Sequence, residues 1–180
     1  MKRIVLVLVS VSVTALALAG PAAAQTQGLH FTQGGEVVCQ DVGTRLNCTG
    51  ELAGVGNATL VATLNAPNAT ATNLICENKG GNQAPGQNPG VPTTAAGNQT
   101  LMQDKNGRAV IAVFAGIGAI SPRDAGCPNG NWRVIVGDVE FGDYTLTIRQ
   151  GNQVVVSCTG SFLPGASVNN EIDVPECTIL

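Results

Sequence analysis

The chain has 180 residues, of which 44% are hydrophobic, 3% aromatic and 12% charged, and its formal net charge is −3 at pH 7. This weakly acidic balance, with no basic run after residue 24, argues against nucleic acids and anionic membrane surfaces as partners. The length suits one domain with its own core, which Val, Leu, Ile and Ala must largely fill because there are only six aromatic residues.

The first 24 residues, MKRIVLVLVSVSVTALALAGPAAA, have the pattern of a secretory signal peptide. Two cations precede a long apolar run, and a helix-breaking Gly-Pro pair with an A-x-A site favours cleavage over retention as a transmembrane anchor. Removal of these two cations, with no loss of acids, leaves a chain of net charge −5. We therefore predict signal peptide 1–24, secretion to the extracellular medium without a membrane anchor, and a flexible N-terminal segment over 25–35.

Between residues 36 and 163, short strand-like segments alternate with turn-forming residues, and no 3.6-residue apolar period persists for three turns. The segments with alternating or β-branched residues are, in chain order, 36–40, 45–52, 58–66, 70–77, 98–103, 108–115, 132–141, 144–149 and 153–158. Gly151-Asn152 predicts a tight hairpin between the last two, and 104–107 predicts a second hairpin. Together these features predict an all-β, antiparallel immunoglobulin-like β-sandwich over 36–163, with a small closed barrel as the alternative.

The segment NKGGNQAPGQNPG, residues 78–90, lies between two of these predicted strands. Its Gly and Pro residues disfavour both helix and strand, while its Asn and Gln side chains can bond exposed backbone groups in turns. We therefore predict a long loop. A long loop in a compact domain is either a functional surface or an inert solvated connection, and the composition leaves both open.

Six cysteines follow the signal peptide, at positions Cys39, Cys48, Cys76, Cys127, Cys158 and Cys177. An even number in an exported chain predicts three disulfides, whereas zinc sites usually need C-x-x-C pairs or added histidines. Fifteen pairings are possible, and sequence alone does not choose among them. Placement on the predicted strands ranks Cys39–Cys48, Cys76–Cys127 and Cys158–Cys177 first, and the last of these would attach the C-terminal tail 164–180 to the sheet.

Tyr144 follows the corner FGD and begins the penultimate predicted strand. This arrangement is similar to the tyrosine corner of immunoglobulin-like domains, in which the hydroxyl bonds back to the backbone a few residues upstream. The alternative is a tyrosine at the edge of the sheet with its hydroxyl in water.

Three stretches, CTGELAGVGNATLVATL, ICENKGGNQAPGQNPG and CPNGNWRVIVGDVEFGDYTLTIRQGNQVV, together resemble a group of small exported bacterial proteins of uncharacterised function with an immunoglobulin-like fold. The resemblance covers residues 36–163 and consists of turns and cysteines, so it implies a fold and no activity. The hairpin CQDVGTRLNC is also similar to one in secreted apoproteins that shelter enediyne chromophores, although the rest of their pattern is not evident here.

Candidate catalytic groups are few. The single histidine, His30, lies six residues after the predicted cleavage site, and oxidised cysteines would leave no thiolate, so hydrolysis by a Ser-His-Asp or Cys-His mechanism is disfavoured. Asp138, Glu140 and Asp143 cluster in GDVEFGD and could serve a carboxylate-based glycosidase or a calcium ion, but solvated surface acids are the simpler interpretation. No Gly-rich phosphate motif is present, so we predict no cofactor.

These observations predict a secreted, monomeric and non-catalytic binding module for an extracellular protein or carbohydrate, with no metal site. The alternatives are a proteinaceous inhibitor of a secreted hydrolase and, less favoured, a carboxylate-based glycosidase. If Cys76 and Cys127 are joined, one end of the 78–90 segment would lie near the single tryptophan, where amides and an aromatic ring could contact a sugar or a peptide strand. The predicted ligand-binding residues are Asn82, Gln83, Gln87, Asn88 and Trp132.

Overall fold

The computed structural model describes residues 28–163 and 169–180, so the predicted signal peptide lies outside the described residues. Within them, all regular elements are strands, which form one antiparallel sheet that curls into a half barrel. The prediction of an all-β, antiparallel fold with disulfides is thereby confirmed. The strands are β1 His30–Phe31, β2 Val38–Asp41, β3 Arg45–Ala53, β4 Leu60–Glu77, β5 Gln83–Pro85, β6 Gly90–Leu101, β7 Ala109–Ile117, β8 Arg133–Glu140, β9 Asp143–Gln150, β10 Gln153–Ser161, β11 Ile172–Asp173 and β12 Glu176–Ile179.

The long strand β4 organises the sheet. Strands β5 and β6 pair in succession along one of its edges, and β8 and β9 pair in succession along the other. The sequence predicted two strands where β4 is continuous, because a register shift between Ala66 and Ala69 accommodates Pro67 without ending the pairing. A second irregularity lies at Asn73, which has a positive φ of 52°. Gly137 lies close to this residue, because a β-carbon on the glycine would lie 2.8 Å from the Asn73 carbonyl oxygen.

Alternating residues of the strands form the core, as the two-residue period predicts. On β9, for example, Tyr144, Leu146 and Ile148 are buried while Thr145 is exposed. The main cluster collects buried residues from β2, β3, β4, β6, β7, β8, β9 and β10, which can meet only because the sheet curls. A smaller cluster of Ala71, Leu74 and Ala125 lies separately beneath the last part of β4.

The two predicted hairpins are both present, but they differ in regularity. The pairing of β9 with β10 begins at Gln150, which lies opposite Gln153, and Gly151 between them has a φ of 56°. The predicted tight turn is therefore confirmed. β6 and β7 are also neighbours, and their turn is held by Asp104, whose Oδ1 accepts hydrogen bonds from the backbone of Asn106 at 2.8 Å and of Arg108 at 2.9 Å.

The β6–β7 hairpin is split in its middle. Its strands pair only at Ala95 and Ala96, opposite Ile117 and Gly116, apart from an isolated bridge close to the turn. Between these points the side chain of Gln99 takes the place of a backbone partner. Its Oε1 accepts a hydrogen bond from the nitrogen of Ala112 at 2.7 Å, and its Nε2 donates to the oxygen of Val110 at 3.3 Å.

The three disulfides are the pairs that the sequence ranked first, and no free cysteine occurs in the described residues. Cys39–Cys48 and Cys158–Cys177 each join directly opposed residues of neighbouring strands, with Cα atoms 4.0 Å apart. Cys76–Cys127 instead joins the end of β4 to the loop that precedes β8.

The last strands connect the two ends of the strand order, which runs β11-β2-β3-β7-β6-β4-β9-β10-β12. β11 pairs with β2 and β12 pairs with β10, yet only Val174 and Pro175 separate β11 from β12 in the chain. We name residues 172–179 the C-terminal clasp. Because it pairs with both edge strands, it holds together the two ends of the curled sheet.

Tyr144 adopts neither predicted environment. Its buried hydroxyl donates a hydrogen bond of 2.6 Å to Oδ2 of Asp173 in the clasp, and its ring stacks on Phe162 at 5.4 Å. The same carboxylate oxygen accepts the backbone N–H of Ser161 at 3.1 Å. The interpretation as a tyrosine corner, like that of a solvated edge tyrosine, is therefore wrong. Asp173 supplies the partner because the clasp returns to the sheet at this point.

The N-terminal segment that was expected to be flexible contains a short strand. His30 and Phe31 pair with Ala53 and Leu52 of β3, and Leu29 is buried in the main cluster. An apolar residue next to the sheet edge accounts for this attachment, which the sequence did not predict.

Candidate functional site

The last part of β4 belongs to a three-stranded unit, which we call the arm: residues 70–77 of β4 with β5 and β8. Glu77 lies opposite Gln83 on one side and Arg133 on the other. Two residues earlier, Ile75 lies opposite Pro85 and Ile135. Since directly opposed residues share one face of a sheet, these side chains form a polar row and an adjacent apolar row. The outer arm face is defined by Ile75, Glu77, Gln83, Pro85, Arg133 and Ile135.

Hydrogen bonds join the three side chains of the polar row. Oε2 of Glu77 accepts a hydrogen bond from Nε2 of Gln83 at 2.9 Å. Its Oε1 accepts hydrogen bonds from Nη2 and Nε of Arg133, at 2.5 and 3.1 Å. The hydrogen bond from Gln83, together with those from Arg133, holds the pKa of Glu77 below its usual value. The charge of Arg133 is thus compensated within the row.

The apolar row is open to solvent. Ile75 is 36% exposed, Pro85 is exposed and Ile135 is partly buried. Ile75, Gln83, Ala84 and Pro85 line a shallow groove of about 290 Å³. Single exposed apolar residues are ordinary, whereas a contiguous row beside fixed polar groups is typical of a contact surface.

A second cleft, of about 390 Å³, adjoins the polar row, and we call it the Trp132 cleft. Trp132 is half-buried in its wall, and Lys79 is exposed at its margin. Lys79 has no hydrogen-bond or ion-pair partner in the described part of the chain. The sequence predicted amide groups near Trp132, and the cleft also has charged groups because Glu77 and Arg133 reach it from paired strands. Its lining consists of Glu77, Asn78, Lys79, Asn131, Trp132 and Arg133.

The turn that joins β4 to β5 is held by Asn78. Its Oδ1 accepts the backbone N–H groups of Gly80 at 2.9 Å and Asn82 at 3.0 Å, and its own backbone N–H donates to the oxygen of Asn82 at 3.0 Å. Gly81 has a φ of 78°, which favours glycine in such a turn. The first part of the predicted loop 78–90 is therefore a hairpin. The expectation that this segment forms no strand is wrong for Gln83–Pro85 and for Gly90, which begins β6.

The second part of this segment packs against another loop. The nitrogen of Gly86 donates to the oxygen of Leu74 at 2.7 Å, and that of Asn88 donates to the oxygen of Ala125 at 3.3 Å. The side-chain amide of Asn88 also donates to the oxygen of Asp124. Asn88 and Asp124 line a different cleft, of about 420 Å³, with Gly90, Val91, Pro92 and Arg123.

The structure thus separates the predicted site residues into two groups. Gln83 and Trp132 lie on or beside the outer arm face, and Asn82 lies in the adjoining turn. Asn88 lies toward the side of β4 that carries Leu74, and its amide is engaged with the 121–127 loop. Gln87 is exposed there, next to the position that a β-carbon on Gly126 would take.

The Cys76–Cys127 disulfide makes the arm rigid. Cys76 is completely buried, and the loop residue Ala125 packs on Leu74 beneath the arm. The bond closes the longest of the three disulfide loops, with a sequence separation of 51, so the loop-closure entropy argument assigns it the largest restriction of the unfolded chain.

The three acids of GDVEFGD lie in different surroundings, and the favoured interpretation as solvated surface acids is wrong for Asp138. Asp138 is 5% exposed, and its Oδ1 accepts the backbone N–H of Val139 at 3.0 Å, whereas Glu140 is partly buried. Asp143 lines a shallow groove of about 340 Å³ with Tyr144, Thr145, Thr159, Gly160 and Ser161, a lining that includes no second carboxylate. Within residues 28–163 and 169–180, no group of three or more His, Cys, Asp or Glu side chains is arranged to hold a metal ion.

Asp138 also belongs to a second acidic cluster, which no sequence pattern indicates. Asp41, at 3% exposure, interacts electrostatically with Asp138 and Glu171. Burial raises the pKa of Asp41 to about 6, the hydrogen bond from the nitrogen of Gly43 opposes this shift, and the two neighbouring carboxylates add to it. These acids lie so far apart in the chain that no local pattern connects them.

Comparison of the chain with protein-family models, curated protein sequences and solved structures gives no match. In the described ranges, no helix has the length and apolar character needed to cross a membrane.

Proposed function

We propose that this protein is a secreted, non-catalytic binding module whose outer arm face recognises an extracellular protein or carbohydrate. The observation that carries the proposal is the exposed apolar row of Ile75, Pro85 and Ile135 directly beside the hydrogen-bonded row of Glu77. Apolar contacts next to oriented polar groups are the usual composition of a recognition surface.

Rigidity supports the same proposal. The Cys76–Cys127 bond, the Asn78 turn and the two hydrogen bonds from Arg133 to Oε1 of Glu77 hold the surface before a partner arrives. A surface that is already ordered loses less conformational entropy on binding, so more of the contact energy appears as affinity.

The test introduces asparagine at two exposed apolar positions, one inside and one outside the outer arm face. The wild-type protein, Ile75→Asn in the arm and Val110→Asn on the outside of β7 would be immobilised and exposed to panels of extracellular polysaccharides and secreted proteins. We expect a partner that the wild type and Val110→Asn retain, and whose affinity falls about tenfold or more with Ile75→Asn. Equal retention by all three proteins would reject the outer arm face.

The alternative function, inhibition of a secreted hydrolase, is favoured by one specific observation. The exposed turn 78–82 is held by hydrogen bonds within itself and follows a disulfide-bonded residue, as an inhibitory loop requires. Titration of secreted proteases and amylases would then show stoichiometric loss of activity, which Asn78→Ala would weaken. Full activity at excess protein counts against this alternative.

Two further properties belong to the proposal. We propose that residues 1–24 are removed on export, since three disulfides suit an oxidising compartment. Mass spectrometry of the exported protein would then find Gln25 at its N-terminus.

We also propose that the curled sheet packs as the two layers of an immunoglobulin-like sandwich, as in the bacterial proteins that the sequence resembles. A crystal structure would test this packing.

A further inference from the structure

We propose that the Trp132 cleft binds an anionic sugar, a uronate unit of an extracellular polysaccharide. This inference rests on the proposed binding function and names the ligand class for one part of its surface. It follows from the unequal pairing of the two cations in the cleft, from the unused donors around them and from the size of the cleft.

The two cations of the cleft differ in their availability. Arg133 makes two contacts with Oε1 of Glu77, so its charge is compensated. Lys79 lines the same cleft, is exposed, and contacts no acid in the part of the chain that the structure describes. An uncompensated ammonium on an acidic protein attracts an anionic group to this location in preference to the surrounding surface.

Hydrogen-bonding groups and one aromatic ring complete the lining. Oδ1 of Asn78 already accepts two backbone N–H groups, but its Nδ2 donates to none of the described residues. The side-chain amide of Asn131 is likewise without a partner among them, and both amides lie in the lining with Trp132. Amide donors beside an indole ring match the hydroxyl groups and the C–H face of a pyranose, while Lys79 matches a ring carboxylate.

The cleft fits a sugar better than an acidic peptide. With a volume of about 390 Å³ it accommodates one or two sugar rings, and its inner wall consists of side chains from turns and strand ends. An extended peptide is usually held by a ladder of backbone hydrogen bonds along a strand edge, with side-chain pockets at alternate residues. The lining of the Trp132 cleft instead combines one aromatic ring with amide and charged side chains.

The probe would be a trimer of galacturonic acid, compared with its methyl ester, which has the same sugar ring without the charge. Calorimetry should show that the wild type binds the acid about fivefold or more tightly than the ester, with a preference that falls as salt rises. Lys79→Met should abolish this preference, whereas Lys105→Met, which removes an exposed cation of the 104–107 turn, should leave it unchanged. Trp132→Ala should weaken both trimers, and Trp132→Phe should retain most of the affinity.

Several results would overturn the inference. They are equal affinity for acid and ester, a charge preference that survives Lys79→Met, absence of binding to either trimer, and tighter binding of a hexamer of glutamate than of the uronate trimer. The proposed function fails separately. A partner that is lost with Ile75→Asn but is insensitive to Lys79→Met would leave the outer arm face as a binding surface and reject only the uronate site.

Discussion

At Gly97 the backbones of β6 and β7 approach so closely that no side chain fits between them. A β-carbon there would overlap the carbonyl oxygen of Phe114 and lie 2.7 Å from its carbonyl carbon. Neither atom belongs to a flexible side chain, so relief requires the strands to separate. We expect Gly97→Ala to lower the free energy of unfolding by about 3 kcal/mol or more, as measured by chemical denaturation.

A matched control exists in the facing strand. Gly116 on β7 has open space where a β-carbon would lie, and its φ is outside the left-handed region. Gly116→Ala should therefore change stability by no more than about 0.5 kcal/mol. If both substitutions had the same small effect, the close approach of β6 and β7 at Gly97 would be wrong.

Asp41 should make stability depend on pH. Its pKa is about 6 in the folded protein against 3.8 when unfolded, so between these values the native state keeps a proton that the unfolded chain has released. Stability is therefore highest below the unfolded pKa and falls as pH rises through this window, by at most about 3 kcal/mol. Asp41→Asn, which retains an oxygen for the Gly43 N–H, should remove this loss.

The measurement compares wild type and Asp41→Asn by denaturation between pH 4 and pH 7.5. The difference in unfolding free energy should grow in favour of the variant as pH rises toward 6 and above. A constant difference across the range would contradict the raised pKa, because acids that do not interact with Asp41 contribute equally to both proteins.

At the scale of elements, the split β6–β7 hairpin depends on one side chain. Gln99 supplies the acceptor for the nitrogen of Ala112 and a donor for the oxygen of Val110 where the two strands do not pair. Gln99→Ala leaves both backbone groups without these partners, so we expect a loss of about 1 to 2 kcal/mol in unfolding free energy. Urea denaturation of the purified variant would measure this loss.

The neighbouring Asn98 is the control for Gln99. It lies on the opposite face of the same strand and pairs in register with Thr63 through the backbone. Asn98→Ala should stay within about 0.5 kcal/mol of wild type. Comparable losses from the two substitutions would show that Gln99 is an ordinary surface residue.

Elements with local signals were predictable from the sequence. The period of β9 and the Gly151-Asn152 turn predicted the last hairpin, and strand positions ranked the correct cysteine pairs. The sequence predicted Trp132 as a ligand-binding residue because it is an aromatic residue near an amide-rich segment. It did not predict Glu77 and Arg133, which line the same cleft. Those two residues are 56 positions apart, and only the register of β4 and β8 brings them together.

Similar reasons explain the partner of Tyr144 and the continuity of β4. Asp173 lies 29 residues after Tyr144, in a tail whose only sequence signal was a cysteine. Pro67 is a residue type that usually ends a strand, yet the bulge between Ala66 and Ala69 lets β4 continue. Such features depend on long-range pairing energy, which local propensity does not contain.

At the scale of the whole molecule, the C-terminal clasp couples the two ends of the strand order. β11 is hydrogen-bonded to β2 and β12 to β10, and the Cys158–Cys177 bond fixes the second pairing covalently. The pairing of β11 with β2 is not fixed by a disulfide from the clasp. Asp173 adds a side-chain attachment to these backbone pairings, because its carboxylate accepts hydrogen bonds from Tyr144 of β9 and Ser161 of β10.

Removal of this attachment should loosen both edges at once. Asp173→Ala leaves the buried Tyr144 hydroxyl without its acceptor, at a cost of about 1 to 3 kcal/mol. Hydrogen exchange should then accelerate in β2 as well as in β10, although these strands lie near opposite ends of the strand order. Glu176→Ala, an exposed change in the same clasp, should leave both strands protected. Faster exchange in β10 alone would mean that β11 does not hold the edge of β2 and that the curled sheet is maintained without the clasp.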